Sequence, residues 1–190
     1  LTTGAGADTV SLSAGSTITG VVSLGVDGDT TNGNADTLTL NASTITGDVG
    51  TGSGADTVSL ANASAVTGDV NLGTDSDGSD GIDALSLTAS SITGDVSTGL
   101  GGDTVTLSTT STITGDVSLG SGDDPLQLAI GANKITGNVT LGSGSGDLIT
   151  YQGHVEPISF TINTITADSV GTGSSDLNRA GLISGTVSGY

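Results

Sequence analysis

The chain has 190 residues, of which Gly, Ser and Thr fill 91; it has no Cys, Met or Trp and only three aromatic residues, Tyr151, Phe160 and Tyr190. That composition excludes a conventional core of bulky side chains, and with it disulfides and thiolate metal sites. Twenty acidic residues against Lys134 and Arg179 give a formal net charge of −18, so no basic patch exists to displace the counterions of a nucleic acid, and that partner class is excluded.

No run of 18 apolar residues offers a transmembrane helix, and the residues from Leu1 onward do not read as a signal peptide. A mean hydropathy of +0.17 and strict alternation of β-branched residues argue for a folded chain over a disordered one.

In chain order, the first element is the alternating run Asp8-Thr-Val-Ser-Leu12, opened by a Gly-x-Gly-x-Asp turn at residues 4–8. The second, Ile18-Thr-Gly-Val-Val22, is the first copy of an ITGDV motif that recurs at residues 45–49, 66–70, 92–96, 113–117 and 135–139. These copies start 27, 21, 26, 21 and 22 residues apart, so the unit is 21 residues with five or six extra in alternate copies. The Gly-x-Gly-x-Asp turn returns at 52–56, 99–103 and 120–124, while Asp36, Asp83 and Asp147 open the equivalent strand after altered loops. A degraded ITGDV copy begins at Ile165 and a last one occupies 183–187.

Each unit therefore holds two period-2 runs separated by Gly-, Ser-, Asn- and Asp-rich turns. In the second run Ile113, Gly115, Val117 and Leu119 point one way, with Thr114, Asp116 and Ser118 opposite. Short strands repeating in one phase predict a right-handed parallel β-solenoid of about 21 residues per coil, with two main strands per coil. Val, Leu and Ile then stack as files inside a narrow core. Residues 1–150 read as regular coils. Residues 151–190, with His154, Pro157 and Phe160 where the repeat is small and polar, read as irregular terminal coils that cap or make contacts, Phe160 or Tyr151 plugging the core or meeting a neighbour.

Stacking makes an electrostatic problem. Asp8, Asp36, Asp56, Asp83, Asp103, Asp124 and Asp147 fall at one point of successive coils, and Asp48, Asp69, Asp95 and Asp116 form a second file. Charges at strand spacing repel by roughly 1 kcal/mol each in water and by several in a less polar groove. Lys134 and Arg179 are too few to compensate, whereas a hard divalent cation suits carboxylate and carbonyl oxygens, with calcium (Ca2+) the expected ion. Candidate ligands are the seven turn aspartates, Asp123 beside Asp124, and two aligned acidic loops. The loops are Asp27-Gly-Asp29-Thr-Thr-Asn32-Gly33 and Asp75-Ser-Asp77-Gly-Ser-Asp80-Gly81, both reading D-x-D-x-x-[N/D]-G. Solvation is the preferred explanation for Asp48, Asp69, Asp95 and Asp116.

Gly52-Ser-Gly-Ala-Asp56-Thr-Val58 and Gly99-Leu-Gly-Gly-Asp103-Thr-Val105 resemble the RTX, or haemolysin-type, calcium-binding repeats, whose nonapeptide is G-G-x-G-x-D-x-φ-x. That family carries two motifs in each 18-residue coil, and this chain one in 21, so the resemblance implies calcium on one edge only. The mixed pattern Ser111-Thr-Ile-Thr-Gly-Asp-Val-Ser-Leu-Gly-Ser-Gly-Asp-Asp124 is also similar to β-helical passenger regions of bacterial adhesins and autotransporters. The likeness covers residues 1–149.

Catalysis has little support: His154 stands alone and Glu156 is the only Glu, so a polysaccharide-acting β-helix enzyme is a remote alternative and no enzyme is expected. A nearer alternative is a calcium-dependent ice-binding solenoid, with Thr46-Gly-Asp48, Thr67-Gly-Asp69, Thr93-Gly-Asp95, Thr114-Gly-Asp116 and Thr136-Gly-Asn138 projecting files from one flat strand. The principal expectation is an extracellular or bacterial cell-surface structural or adhesive protein, a calcium-stabilised rod in a matrix, surface layer or adhesin stalk, with cell-surface or matrix polysaccharide as a conceivable ligand. Both ends lie in phase with the repeat, so head-to-tail assembly into a filament, or continuation of a longer solenoid, is expected with it.

Overall fold

The structure is a computed structural model that describes residues 1–25, 33–73, 81–129, 131–144, 146–151, 164–166 and 186–188. Every strand pairing among these residues is parallel, and none of them is helical. The alternating Asp-Thr-Val-Ser-Leu runs make a seven-stranded first sheet from Thr9–Leu12, Thr37–Asn41, Thr57–Ala61, Ala84–Thr88, Thr104–Ser108, Pro125–Leu128 and Leu148–Tyr151. A second sheet stacks Thr17–Thr19, Thr44–Thr46, Ala65–Val66, Ser91–Ile92, Thr112–Ile113 and Lys134–Ile135. A third stacks Val22–Ser23, Val49–Gly50, Val70–Asn71, Val96–Ser97, Val117–Ser118, Val139–Thr140, Thr164–Thr166 and Thr186–Ser188. The chain visits the three sheets in turn and returns one strand further along, which is a parallel β-solenoid.

The expectation of two main strands per coil is corrected to three. The ITGDV run does not stay straight: Ile92 ends a strand of the second sheet, Val96 begins one of the third, and Thr-Gly-Asp between them is a corner. The reason lies in the glycine. A side chain on Gly94 would strike the backbone of Gly68 one coil earlier, and one on Gly68 would strike Gly47. Only residues without Cβ allow the stacked corners to approach so closely. Thr114, Asp116 and Ser118 therefore do not share one face, and the Thr and Asp files of the ice-binding alternative lie on opposite arms of a corner rather than on one flat strand.

Registers pair like with like. Leu38 stands on Val58, Leu85 on Val105, Ile45 on Val66 and Val96 on Val117. Inward-facing positions form aliphatic files whose members are almost all fully buried, among them Leu40, Leu60, Leu87 and Leu107. Each removes roughly 1.5–3 kcal/mol worth of apolar surface from water. A further file mixes types: Thr51 and Thr98, both 0 % exposed, occupy the level of Leu72 and Leu119. Their hydroxyls donate to Leu72 O and Leu119 O at 2.8 Å, so the buried oxygen is satisfied by the next coil.

The corner between the first and second sheets turns through left-handed residues, Ala42 (φ 50°), Ala89 (φ 49°) and the pairs Asn62–Ala63 and Thr109–Thr110. That conformation costs non-glycine residues about 1 kcal/mol or more each. Beneath it runs a buried polar file that the sequence analysis did not single out: Ser43, Ser64, Ser90, Ser111 and Asn133. The Ser43 amide donates to Ser64 Oγ (3.2 Å), that of Ser90 to Ser111 Oγ (3.3 Å), and that of Ser111 to Asn133 Oδ1 (2.9 Å).

Regular stacking reaches Tyr151, whose backbone pairs with Leu128. Beyond it the degraded copy departs from expectation: Ile165 pairs with Val139 in the third sheet, not with Ile135 in the second. The motif reads Ile165-Thr-Ala-Asp, without the corner glycine, so its Ile takes the Val level. His154, Pro157 and Phe160 lie outside the described residues, as does the side chain of Tyr151.

Close stacking makes a test. Gly120 (φ +101°) has Gly99 O where a Cβ would sit, whereas Gly15 (φ +79°) has nothing within 4 Å. Gly15→Ala should cost about 1 kcal/mol for its backbone conformation, and Gly120→Ala about 3 kcal/mol or more because a coil must shift. Chemical denaturation of the two variants measures this; equal losses would show that coil spacing does not require the glycine.

Candidate functional site: two stacked aspartate files

The turn aspartates enter the first sheet immediately before its strands. Asp36, Asp56, Asp83, Asp103, Asp124 and Asp147 are at most 1 % exposed, and Asp8, in the first coil, is half-buried. Each carboxylate reaches back one coil. Asp36 Oδ1 accepts the Asp8 amide (2.7 Å), Asp56 Oδ1 that of Asp36 (2.7 Å), and Asp83 Oδ1 that of Asp56 (2.7 Å). Asp103, Asp124 and Asp147 do the same for Asp83 (2.8 Å), Asp103 (2.8 Å) and Asp124 (3.0 Å). The backbone carbonyl of the same residue takes an amide from the following coil, as in Thr57 N–H to Asp36 O (2.9 Å). A turn aspartate thus ties three consecutive coils together.

The second oxygen, Oδ2, is buried in all seven, and in Asp8 and Asp124 it accepts no hydrogen bond. Desolvation is the main force on Asp124 and pushes its carboxyl up to about 6. The Asp103 amide opposes that shift, and the charges of Asp103, Asp147 and Asp123 add to it.

The second file has the same device with opposite sense and opposite solvation. Asp48, Asp69, Asp95 and Asp116 sit at the exposed corner between the second and third sheets, and each carboxylate reaches forward one coil. Asp48 Oδ1 accepts the Asp69 amide (3.0 Å), Asp69 Oδ1 that of Asp95 (2.8 Å) and Asp95 Oδ1 that of Asp116 (2.8 Å). Asn138 closes the described file: its amide donates to Asp116 Oδ1 (2.7 Å) and its Nδ2 approaches Asp116 Oδ2 (3.4 Å). Val21 holds the matching place in the first copy and is 57 % exposed. Water screens these charges, in keeping with the solvated reading of this file.

A calcium site at the turn aspartates would also draw on the backbone carbonyls of the Gly-x-Gly turns. In the structure their carbonyls are engaged between coils: Ser121 N–H donates to Gly99 O (3.1 Å), Gly101 N–H to Ser121 O (2.8 Å), Gly122 N–H to Ser143 O (2.9 Å) and Ser143 N–H to Gly120 O (3.0 Å). Leu100, Ser121 and Ser143 form parallel bridges, a short additional ladder at the turn. Asp123 is exposed and its Oδ1 accepts the Gly146 amide (2.8 Å). Among the described residues no three acidic or histidine side chains converge to hold a metal ion. Asp27, Asp29, Asn32, Asp75, Asp77 and Asp80 lie outside the described residues. The candidate ligands therefore divide in three: the turn aspartates, which the fold brings into one file of struts, buried from Asp36 onward; Asp123, exposed beside that file; and the loop residues, which lie outside the described residues. Lys134 is the one Lys or Arg among the described residues, exposed on the second sheet.

Comparison with family models, with curated proteins and with solved structures finds no match for this chain.

If the turn carboxylates act as struts, the acceptor matters more than the charge. Asp83→Ala leaves the Asp56 amide buried without its acceptor and should cost about 1–3 kcal/mol. Asp83→Asn keeps an Oδ1 acceptor and should cost less than about 1 kcal/mol at neutral pH. Urea unfolding of both variants checks this, and an Asn variant as damaged as the Ala variant would count against the strut.

Proposed function

We propose that this chain is a structural or adhesive segment of an extracellular rod. The observation that carries the reading is the continuous register: seven first-sheet strands stack like on like, giving a described shaft roughly 30 Å long at strand spacing. Most side chains turned outward are short and polar, Thr, Ser and Asp, with Leu1, Val21 and Ile82 as exposed apolar exceptions. A rod of this kind transmits load along its axis, because every coil is tied to its neighbours by the ladders of three sheets and two carboxylate files. It is assigned no catalysis. The scarcity of Lys and Arg fits exposure to trypsin-like proteases outside the cell. The sides of Thr9–Leu12 and Thr17–Thr19 that are unpaired among the described residues suit a further stretch of solenoid or a second copy taken up head to tail.

Calcium belongs to this reading as a ligand of the two acidic loops at residues 27–33 and 75–81, the extra residues of the longer copies of the repeat. All-oxygen loops of this type suit the millimolar calcium found outside cells. The turn aspartates already have backbone partners in neighbouring coils, so the loops are the better place for the ion.

A second reading, ice binding, rests on one observation. Thr19, Thr46, Thr67, Thr93, Thr114 and Thr136 stand at one level of consecutive coils, exposed in all but the last, where Thr136 is half-buried. Thermal hysteresis separates the readings, since a rod without ice affinity has none.

The test of the principal reading is calcium titration followed by isothermal calorimetry and negative-stain electron microscopy. Calcium binding that is lost in an Asp27, Asp29, Asp75, Asp77 to Ala variant, together with straight particles of uniform width, is expected. Globular particles, or calcium binding indifferent to those substitutions, would overturn the corresponding half of the reading.

A further inference from the structure

We propose that the outer face of the first sheet is a lateral docking surface for a second copy of this chain, the two shafts lying side by side and pointing the same way. This face is separate from the ends of the shaft, where head-to-tail continuation would take place. Charge is spread unevenly around the coil. The exposed aspartates stand at the corner between the second and third sheets, and the turn aspartates and acidic loops fall in sequence between third-sheet and first-sheet strands. The third sheet therefore lies between two acidic corners, while the second ends at one of them and carries Lys134. The first sheet is the side turned away from the exposed file, and none of its outward positions from Thr9 to Thr150 holds a charged residue.

It is also the broadest side, with strands of four or five residues where the other two sheets have two or three. Its middle outward file runs in register through Ser11, Thr39, Ser59, Ser86, Thr106 and Gln127, all at least partly exposed. Five residues by seven strands make a face of about 17 Å by 30 Å, so a face-to-face pair covers about 500 Å² per copy and about 1,000 Å² in all. That area stands at the lower limit of a specific interface. The pair is weak for a shaft of this length and gains with each coil added.

Chemistry and charge choose the occupant and its direction. A hydroxyl both donates and accepts, so a file of Ser and Thr is complementary to itself, as a two-fold axis requires. An axis along the shaft sets each middle-file residue against its own counterpart. It also sets the acidic corner of one copy over the corner between the first and second sheets of the other, where Ala42, Asn62, Ala63 and Ala89 carry no charge. Turning one copy end for end brings the two acidic corners together, which like-charge repulsion disfavours in a chain of net charge −18. The outward positions of the face hold no aromatic ring to stack on a sugar, so a second copy suits it better than a polysaccharide.

The experiment is sedimentation equilibrium of the full chain in excess chelator at low and high salt, joined to thiol cross-linking of single-cysteine variants, since the chain has no cysteine of its own. Association should strengthen as salt screens the net charge, and the Thr39→Glu, Ser86→Glu double variant should weaken it about tenfold or more. A short bis-maleimide should join Thr39→Cys chains to one another, and Gln127→Cys chains likewise, while Ser91→Cys on the second sheet stays single. A chain that is monomeric at about 0.1 mM in high salt overturns the proposal. So does association that the Glu variant leaves unchanged, a result under which head-to-tail assembly still stands. A cross-link formed only in a mixture of Thr39→Cys and Gln127→Cys reveals shafts running in opposite directions and overturns it too. Dextran that shields Thr39→Cys from the reagent in a monomeric chain would give the face to a neutral polysaccharide instead. The cross-linking result stands even if the Glu variant does not fold.

Discussion

Parallel stacking at a fixed strand spacing is the constraint on which the rest of this structure depends. Once equivalent residues of successive coils stand on one another, no side chain has a private environment. A Leu becomes a Leu file, a Gly becomes a line of close backbone contacts, and an Asp becomes a column of like charge. The repeat tolerates variation only where the column tolerates it. Thr51 and Thr98 alternate with Leu72 and Leu119 because a Thr hydroxyl finds the carbonyl of the next coil. Asn138 can follow Asp116 because it still offers an amide to that carboxylate.

The same constraint gives aspartate its place. Short side chains with an acceptor oxygen reach the amide of an adjoining coil, and they do so at two corners in opposite directions. Serine and asparagine fill the comparable role at the third corner. Every corner of the coil therefore carries a side-chain-to-backbone file where the sheet ladder is interrupted, and at the two buried corners it answers the general requirement that buried amides be paired. What differs between corners is water. The exposed aspartates stand in screening water, and the buried ones from Asp36 to Asp147 are closed off from it.

Much of this was legible in the residues. Periodicity announced a solenoid, alternation identified the inward Val, Leu and Ile, and the turn aspartates were recognised as one file. The features that escaped share a cause: they depend on contacts between coils rather than along the chain. Ile-Thr-Gly-Asp-Val alternates as a straight strand would, and only the approach of Gly94 to Gly68 makes it a corner. Gly-x-Gly-x-Asp matched a calcium motif in letters, and its letters also have a coil-to-coil employment: Gly54, Gly101, Gly120 and Gly122 where a carbonyl lies too near for Cβ, aspartate where an amide needs an acceptor. The buried Ser43–Asn133 file left the faintest trace, because serine is common everywhere in this chain. Its signal was position, one residue before each sheet-two strand. Ile165 shows the converse, since losing the corner glycine moved an apparent motif copy into another sheet.

The central claim is that the turn carboxylates hold neighbouring coils together through their amides. Residue-resolved amide hydrogen exchange at fixed pH tests it most directly. The amides of Asp36, Asp56, Asp83 and Asp103 should exchange as slowly as those of Val58 and Leu85 inside the first sheet, because each donates to a buried carboxyl of the next coil. Exchange of these four amides at the rate of exposed turns, while the sheet remains protected, would contradict the account.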